Sequence, residues 1–270
     1  RPEMIGRIGQ YELLERFATG GMAEVYFAQL RGAEGFARLL AVKRLLPMHT
    51  GDPELVRMFL DEARLAAMLL HPNIVQVLDL GELDGDHFIA MELVDGPHLG
   101  RLLAHSIRSG VDLPIPLKVY IVAQAADGLH YAHERIDPLT GQTLEIVHRD
   151  MSPHNLIVSR FGDVKVADFG IARAAIHQAR TQAGVIKGKL GYLAPEQCLG
   201  QPVDRRTDVF ALGIVLYELL TNRRLYSGTK DMAVMKRIIH EEPLPPTLRD
   251  ERIDPNLGEI VLRALRKEPQ

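Results

Sequence analysis

Among the 270 residues there is a single cysteine, Cys198, so no internal disulfide is possible. A reducing compartment follows, and the cytoplasm is the expected location. No apolar run reaches the roughly 18 to 20 residues that cross a bilayer, and the opening RPEMIGRIGQYELLERF lacks a signal-peptide core. A formal net charge of −3 without a basic tail gives no broad attraction to nucleic acid or an anionic membrane. Any phosphate site must then be local. Internal repeats and low-complexity segments are also missing. The chain opens without Met and stops at RKEPQ, so it reads as part of a longer protein, with a membrane anchor elsewhere left open.

With 46% apolar and 25% charged residues, the composition fits one large globular domain or a two-lobed unit with a sizeable core. The first ninety residues carry five strand-like runs: YELLERFA, AEVYFAQL, RLLAVKRL, IVQVLDLGEL and HFIAMELV. One helix interrupts them. Asp52 caps it, Pro53 takes the first helical position, and ELVRMFLDEARLAAMLL follows with helical apolar spacing. Five strands and one helix predict a small α+β lobe.

After MELVDGPHL the pattern turns helical, broken by the short strand-like pieces NLIVS and VKVADF. DVFALGIVLYELLT is apolar on nearly every face, which predicts a helix at the centre of a larger lobe. IDPLTGQTLE, with its Thr-Gly turn, predicts a short β-hairpin. The expected division is 1–91, a connector at 92–96, and 97–270.

Three local patterns point to phosphate chemistry. In FATGGMAEVYFA, Gly20 and Gly21 let backbone amides in a hairpin approach an anion. In AVKRL, alternation turns Lys43 to the face opposite Val42. On the helix after Asp52, Glu62 joins the stripe Leu55, Phe59 and Ala66, whereas Asp61 lies on a neighbouring face with Arg57. A carboxylate buried unpaired costs several kcal/mol. Lys43 is its expected partner.

The third pattern joins HRDMSPHN to VADFG. Asp150 and Asn155 lie five residues apart, and Asp168 follows the next strand at a turn relaxed by Gly170. Hard oxygens of this kind suit Mg²⁺ shared with substrate phosphates, with Asn155 and Asp168 as the metal ligands. Asp150 is then available to accept a hydroxyl proton. His71, His148 and His154 have no zinc-motif spacing. His148 is expected in the core beneath this loop, and Cys198 as a packed side chain.

In this order and over nearly the whole chain, ATGGMAEV, AVK, HPNIV, HRD with its Asn, DFG and APE resemble the eukaryotic-like protein kinases, in particular the bacterial serine/threonine kinases. The resemblance implies the α+β bilobal protein-kinase fold, with a β-rich N-lobe holding one regulatory helix and a mainly helical C-lobe. It implies a kinase that uses ATP and Mg²⁺, or Mn²⁺, to phosphorylate serine or threonine on protein substrates in bacterial signal transduction.

By that resemblance Phe17, Ala18, Thr19, Gly20, Gly21, Met22, Ala23, Glu24 and Val25 form the glycine-rich loop. Lys43 anchors ATP, Met91 is the gatekeeper, Glu92 to Val94 are the adenine-binding hinge, and Val25, Ala41 and Ile157 supply apolar faces around the adenine. Asp208 anchors the catalytic loop from the buried helix.

The departures from the family pattern are informative. Ala18 and Ala23 replace two glycines, and an alanine held at positive φ costs about 1–2 kcal/mol. Ser152 stands where the family has a lysine that meets the transferred phosphoryl group, and Lys189 stands where it has a threonine. The expectation is an exchange: Lys189 brings its ammonium back to this place and Ser152 takes over the threonine's hydrogen bonding. Thr181 is the one Ser or Thr between Asp168 and Glu196. It is the expected autophosphorylation site, paired with Arg149, Arg173 and Arg180, and autophosphorylation leaves room for a transient homodimer. The alternative function is a nucleotide-binding pseudokinase scaffold, favoured by Ser152 and the two alanines.

Overall fold

The structure is a computed structural model that describes residues 4–169 and 189–268. The chain divides into two compact units, Arg1–Asp95 and Gly96–Gln270.

The first unit is a six-stranded antiparallel sheet with one long helix. Its strands are β1 (Gly6–Ile8), β2 (Tyr11–Thr19), β3 (Ala23–Arg31), β4 (Ala37–Leu45), β5 (Val77–Leu83) and β6 (Asp86–Glu92), in the order β1-β2-β3-β4-β6-β5. Five match the runs expected from sequence. β1 is new, and its three residues are too few for an alternation to be seen. Helix α1 (Pro53–Ala67) starts where its cap predicts: the Asp52 carboxylate accepts from the backbone N–H groups of Glu54 and Leu55 at 3.0 and 3.3 Å.

The two faces of this sheet have different neighbours. Tyr26, Ala28, Leu40, Val42, Phe88 and Ala90 pack together on one side. Leu45, Ala23 and Ile89 pack on the other, against Phe59 and Ala63 of α1. Residues directly opposite in an antiparallel ladder share a face. Val25, Lys43 and Ile89 therefore stand in one row, and Phe27, Ala41 and Met91 in the next.

The second unit is mainly helical, with α2 (Leu99–Ser109), α3 (Ile115–His133), α4 (Pro195–Cys198), α5 (Arg205–Thr221), α6 (Asp231–His240) and α7 (Pro255–Ala264). Between α3 and α4, strands β7 (Leu156–Val158) and β8 (Val164–Val166) form a small antiparallel ribbon. From Phe210 to Thr221 every residue of α5 is buried, as its uninterrupted apolar run predicts. Ile136 bridges Thr143, and the Asp137 N–H donates to the Gln142 carbonyl at 2.8 Å, closing the expected turn.

Gly96 begins this unit under tight constraint. A Cβ there would lie 2.0 Å from the Val158 carbonyl oxygen, so no larger residue fits without moving β7. The Val158 N–H donates to the Pro97 carbonyl at 3.1 Å, and His98 bridges Ile157. The chain is thus fastened against β7 just before α2 begins.

Candidate active site

Strand β4 and helix α1 position the first pair of charged groups. Lys43 lies on the sheet face that α1 covers, and its Nζ is 2.7 Å from Glu62 Oε1, with both side chains largely removed from solvent. Phe59 and Ala63 pack beside the pair. Low local dielectric strengthens such an interaction and penalises loss of either member. Asp61, by contrast, meets Arg64 at 3.1 Å on the exposed side of the helix.

The hairpin between β2 and β3 turns through Gly20, Gly21 and Met22, and the Gly20 N–H donates to the Ala23 carbonyl at 2.8 Å. A register shift between Arg16 and Ala18 falls at Phe17, whose exposed ring lies 4.5 Å from that of Phe27. Ala18 and Ala23 belong to strands and neither has positive φ, so the strain expected of alanine here is not incurred.

Ala18 stands opposite Val25, hence in the row of Lys43. Thr19 stands opposite Glu24, on the other face, where Glu24 is buried against Arg16 and Arg44 at 3.4 and 3.9 Å. Glu24 is thus turned away from Lys43. Glu92 is fixed from both ends. Its N–H donates to the Gln76 carbonyl at 2.9 Å, and its carboxylate accepts from the Gln76 N–H at 2.8 Å. Val94 follows, half-buried.

In the second unit the loop from His148 to Asn155 is built around Asp208 of α5. This fully buried carboxylate accepts from the His148 N–H at 2.8 Å and the Arg149 N–H at 2.9 Å, and lies 2.8 Å from His133 Nε2. Arg149 sits at φ +66°, a conformation that a side chain normally disfavours. It persists because its peptide is held on both sides: Asp208 binds its N–H, and the Gln197 amide donates to its carbonyl at 2.9 Å. Sequence reasoning missed Gln197 and His133, since nothing in their spacing ties them to residues tens of positions away.

Asp150 follows this pinned peptide. Asn155, itself buried, donates through Nδ2 to the Asp150 carbonyl at 2.7 Å and to Asp150 Oδ2 at 3.1 Å. Lys189 Nζ lies 3.1 Å from the same Oδ2. The lysine therefore points at the loop in which the family's usual lysine is replaced by Ser152. Ser152 Oγ is buried and has no hydrogen-bond partner among the described residues, so the expected bonding role for its hydroxyl is not seen.

Asp168 is tied to the same loop by its neighbours. The Ala167 N–H donates to the Asn155 carbonyl at 2.9 Å, His148 Nε2 lies 3.0 Å from the Ala167 carbonyl, and the Phe169 ring stacks 4.7 Å from that of fully buried His148. Asp168 itself has φ +53°. Ile157 lies in β7 opposite Lys165. Asn155 commits its amide nitrogen to Asp150, which leaves its carbonyl oxygen as a hard ligand beside the carboxylate-bearing turn. Such a set fits a divalent cation that takes its remaining oxygens from phosphate and water. No cluster of three or more His, Cys, Asp or Glu that would hold a metal by protein groups alone occurs among the described residues.

Basic residues and two histidines surround this loop. His98 and His154 stack with centroids 5.0 Å apart. Burial first, then Arg101 and Lys189, lower the His98 pKa from its ordinary value. Burial, His98, Lys189 and Arg224 do the same to His154 against the opposing pull of Asp150. Burial, reinforced by Glu196, pushes the Cys198 thiol up to about 12, so it is no nucleophile at neutral pH. Thr181, Arg173, Arg180 and Gly170 lie outside the described residues. Arg149 Nε is buried with no hydrogen-bond partner among the described ones.

Residues 11–270 match the family described as protein kinase domain. The chain is 45% identical over 262 residues to the tyrosine-protein kinase MasK of Myxococcus xanthus, covering 97% of this chain and 40% of that protein. It is 39% identical over 269 residues to the serine/threonine-protein kinase PknB of Mycobacterium leprae, covering 97% and 40%. The chain thus spans less than half the length of these relatives. Among solved structures, the Mycobacterium tuberculosis PknI kinase domain superposes with a TM-score of 0.71 at 29% identity, covering 98% of this chain and 91% of that one. Sheet-and-helix unit, helical unit, pinned loop and matched sequence lead to one conclusion: the chain belongs to the protein kinase domain family.

Proposed function

We propose that this chain transfers the γ-phosphoryl group of ATP to a hydroxyl of a protein, with serine and threonine as the principal acceptors. The family uses ATP and a divalent metal, and Mg²⁺ is the ion we assign, with Mn²⁺ able to replace it. Lys43, held by Glu62, serves the phosphates of the nucleotide, and the Gly20–Gly21 turn offers them backbone amides. Ala18, Val25, Ala41 and Met91, which share the Lys43 face, serve the base.

Asn155 and Asp168 would hold the metal, which supplies positive charge to the phosphate oxygens when bound. Asp150 orients the acceptor hydroxyl and takes its proton as the new O–P bond forms and the bond to the β-phosphate breaks, releasing ADP. Lys189 supplies the ammonium that Ser152 cannot. The observation that carries this reading is the pair of contacts at Asp150, whose Oδ2 meets both Asn155 and Lys189, while Asp208 pins the two preceding peptides. A binding-only scaffold has no chemical need for a base built in this way.

Acceptor class is the one point on which a second reading has support. MasK, named a tyrosine kinase, shares 45% identity with this chain, and the catalytic-loop lysine of serine/threonine kinases is replaced by Ser152. We propose Thr181 as the autophosphorylation site, with Arg149 as one of its phosphate's partners. The test incubates the protein with γ-labelled ATP and Mg²⁺, beside Asp150→Asn, and identifies the labelled amino acid. Phosphoserine and phosphothreonine that vanish in the variant support the reading, phosphotyrosine moves it to the second acceptor class, and absence of label with nucleotide still bound contradicts it.

A further inference from the structure

The Asp150 loop is flanked by basic residues of which the transfer reaction uses only Lys189. His154 lies in that loop, is exposed, and stacks on His98 at the start of α2. The two rings meet because Gly96 to His98 are fastened to β7, directly after the Asp150 loop. His98 Nδ1 accepts from the Arg101 N–H at 3.2 Å, capping α2. In the neutral ring this fixes the tautomer with the proton on Nε2, which becomes a donor. Arg101 is exposed and its guanidinium forms no ion pair among the described residues. Lys189 lies within electrostatic reach of both histidines, and Arg224 within reach of His154. Asp150 is the one carboxylate among the charged groups acting most strongly on the pair.

We propose that His98, His154 and Arg101, with Lys189 at their inner edge, form a docking site for an anionic side chain of the protein substrate, a carboxylate or a phosphate a few residues from the acceptor hydroxyl. The inference rests on the kinase reading for the word substrate, but the site itself requires only that the anion bind. A basic segment meets the like charges of Arg101 and Lys189 here. An acidic one meets a guanidinium and an imidazole N–H without having to displace an existing carboxylate. This local preference runs against the chain's overall charge of −3, which by itself would favour basic partners. Specificity therefore resides in the cluster and not in the global field.

The experiment measures binding and transfer separately, using one acceptor peptide with four sets of flanks: neutral, Asp/Glu, phosphoserine and Lys/Arg. Fluorescence anisotropy gives the Kd of each for the wild-type chain and for His98→Asn/Arg101→Glu, in which asparagine keeps an acceptor for the helix cap. The expected result is binding about five- to tenfold tighter for acidic and phosphorylated flanks than for neutral ones, reduced to a ratio near one in the variant. The phosphoserine-to-aspartate ratio tells which anion the site prefers. Equal affinity across all four sets, or a preference for basic flanks, overturns the proposal whether or not label is transferred. Tight acidic binding without label transfer leaves the docking site standing and contradicts the kinase reading alone.

Discussion

Lys43 in the first unit and Asp150 in the second are both charged groups to which we assign phosphate chemistry, yet they are held in different ways. Lys43 is held through its side chain, with Glu62, 19 residues away on the next helix, 2.7 Å from its ammonium. Asp150 is fixed through its backbone, because a buried carboxylate about 60 residues downstream grips the two preceding peptides. The first arrangement depends on a charge meeting a charge. The second rests on hydrogen bonds from backbone groups, to which Asn155 and Lys189 add contacts at the Asp150 carboxylate, so it is intolerant of change at Asp208.

The largest effect should come from breaking the second arrangement. Asp208→Ala leaves the His148 and Arg149 N–H groups buried without acceptors, at about 1–3 kcal/mol each. Denaturant titration should show a loss on the order of 2–6 kcal/mol, and the variant's turnover should collapse with it. Asp208→Asn, which keeps one acceptor oxygen, should lose about half as much. If Asp208→Ala matched the wild type in stability, the loop would have some other anchor.

Lys43→Met should break the first arrangement, lowering turnover about 10²–10³-fold and costing several kcal/mol of stability, because it leaves Glu62 buried without its cation. Glu62→Gln sharpens the contrast. It retains a hydrogen-bonding oxygen but removes the charge, and turnover should fall about 10-fold to 100-fold as the ammonium loses its fixed position. Equal stability losses in Glu62→Gln and Asp208→Asn would erase the distinction between the two modes of holding.

The smallest effect concerns Cys198, on α4 next to Gln197, which grips Arg149 from the other side. Its thiol pKa, pushed up to about 12 by burial and Glu196, lies above the ordinary thiol range. The folded state therefore favours the protonated thiol, and this contribution is retained at neutral pH and lost as pH rises from the ordinary thiol range towards about 12. Alkylation by iodoacetamide at pH 8 should be slow in the native protein and fast after denaturation. Rapid native alkylation would mean that the packing around α4 is looser than described.

The same contrast explains what could be read from the sequence. The Lys43–Glu62 pair was legible because two local periodicities, alternation in a strand and the apolar stripe of a helix, leave one charge on each facing surface. The cap at Asp52 and the buried helix α5 were legible for the same reason. The grip of Gln197 on Arg149 and the stack of His98 on His154 were not, since each depends on how distant segments pass one another at Gly96 and around α5. β1 was too short to show a pattern. Strain at Ala18 and Ala23 was expected from the family's glycines, but a regular strand conformation at both positions removes its cause.

The central claim is that the cation missing from the Asp150 loop is supplied by Lys189. It is tested most directly by reversing the exchange and measuring kcat at saturating ATP and Mg²⁺. Lys189→Thr should lower kcat on the order of 10²–10³-fold, and Ser152→Lys added to it should restore most of the loss. Unchanged turnover in Lys189→Thr would contradict the account.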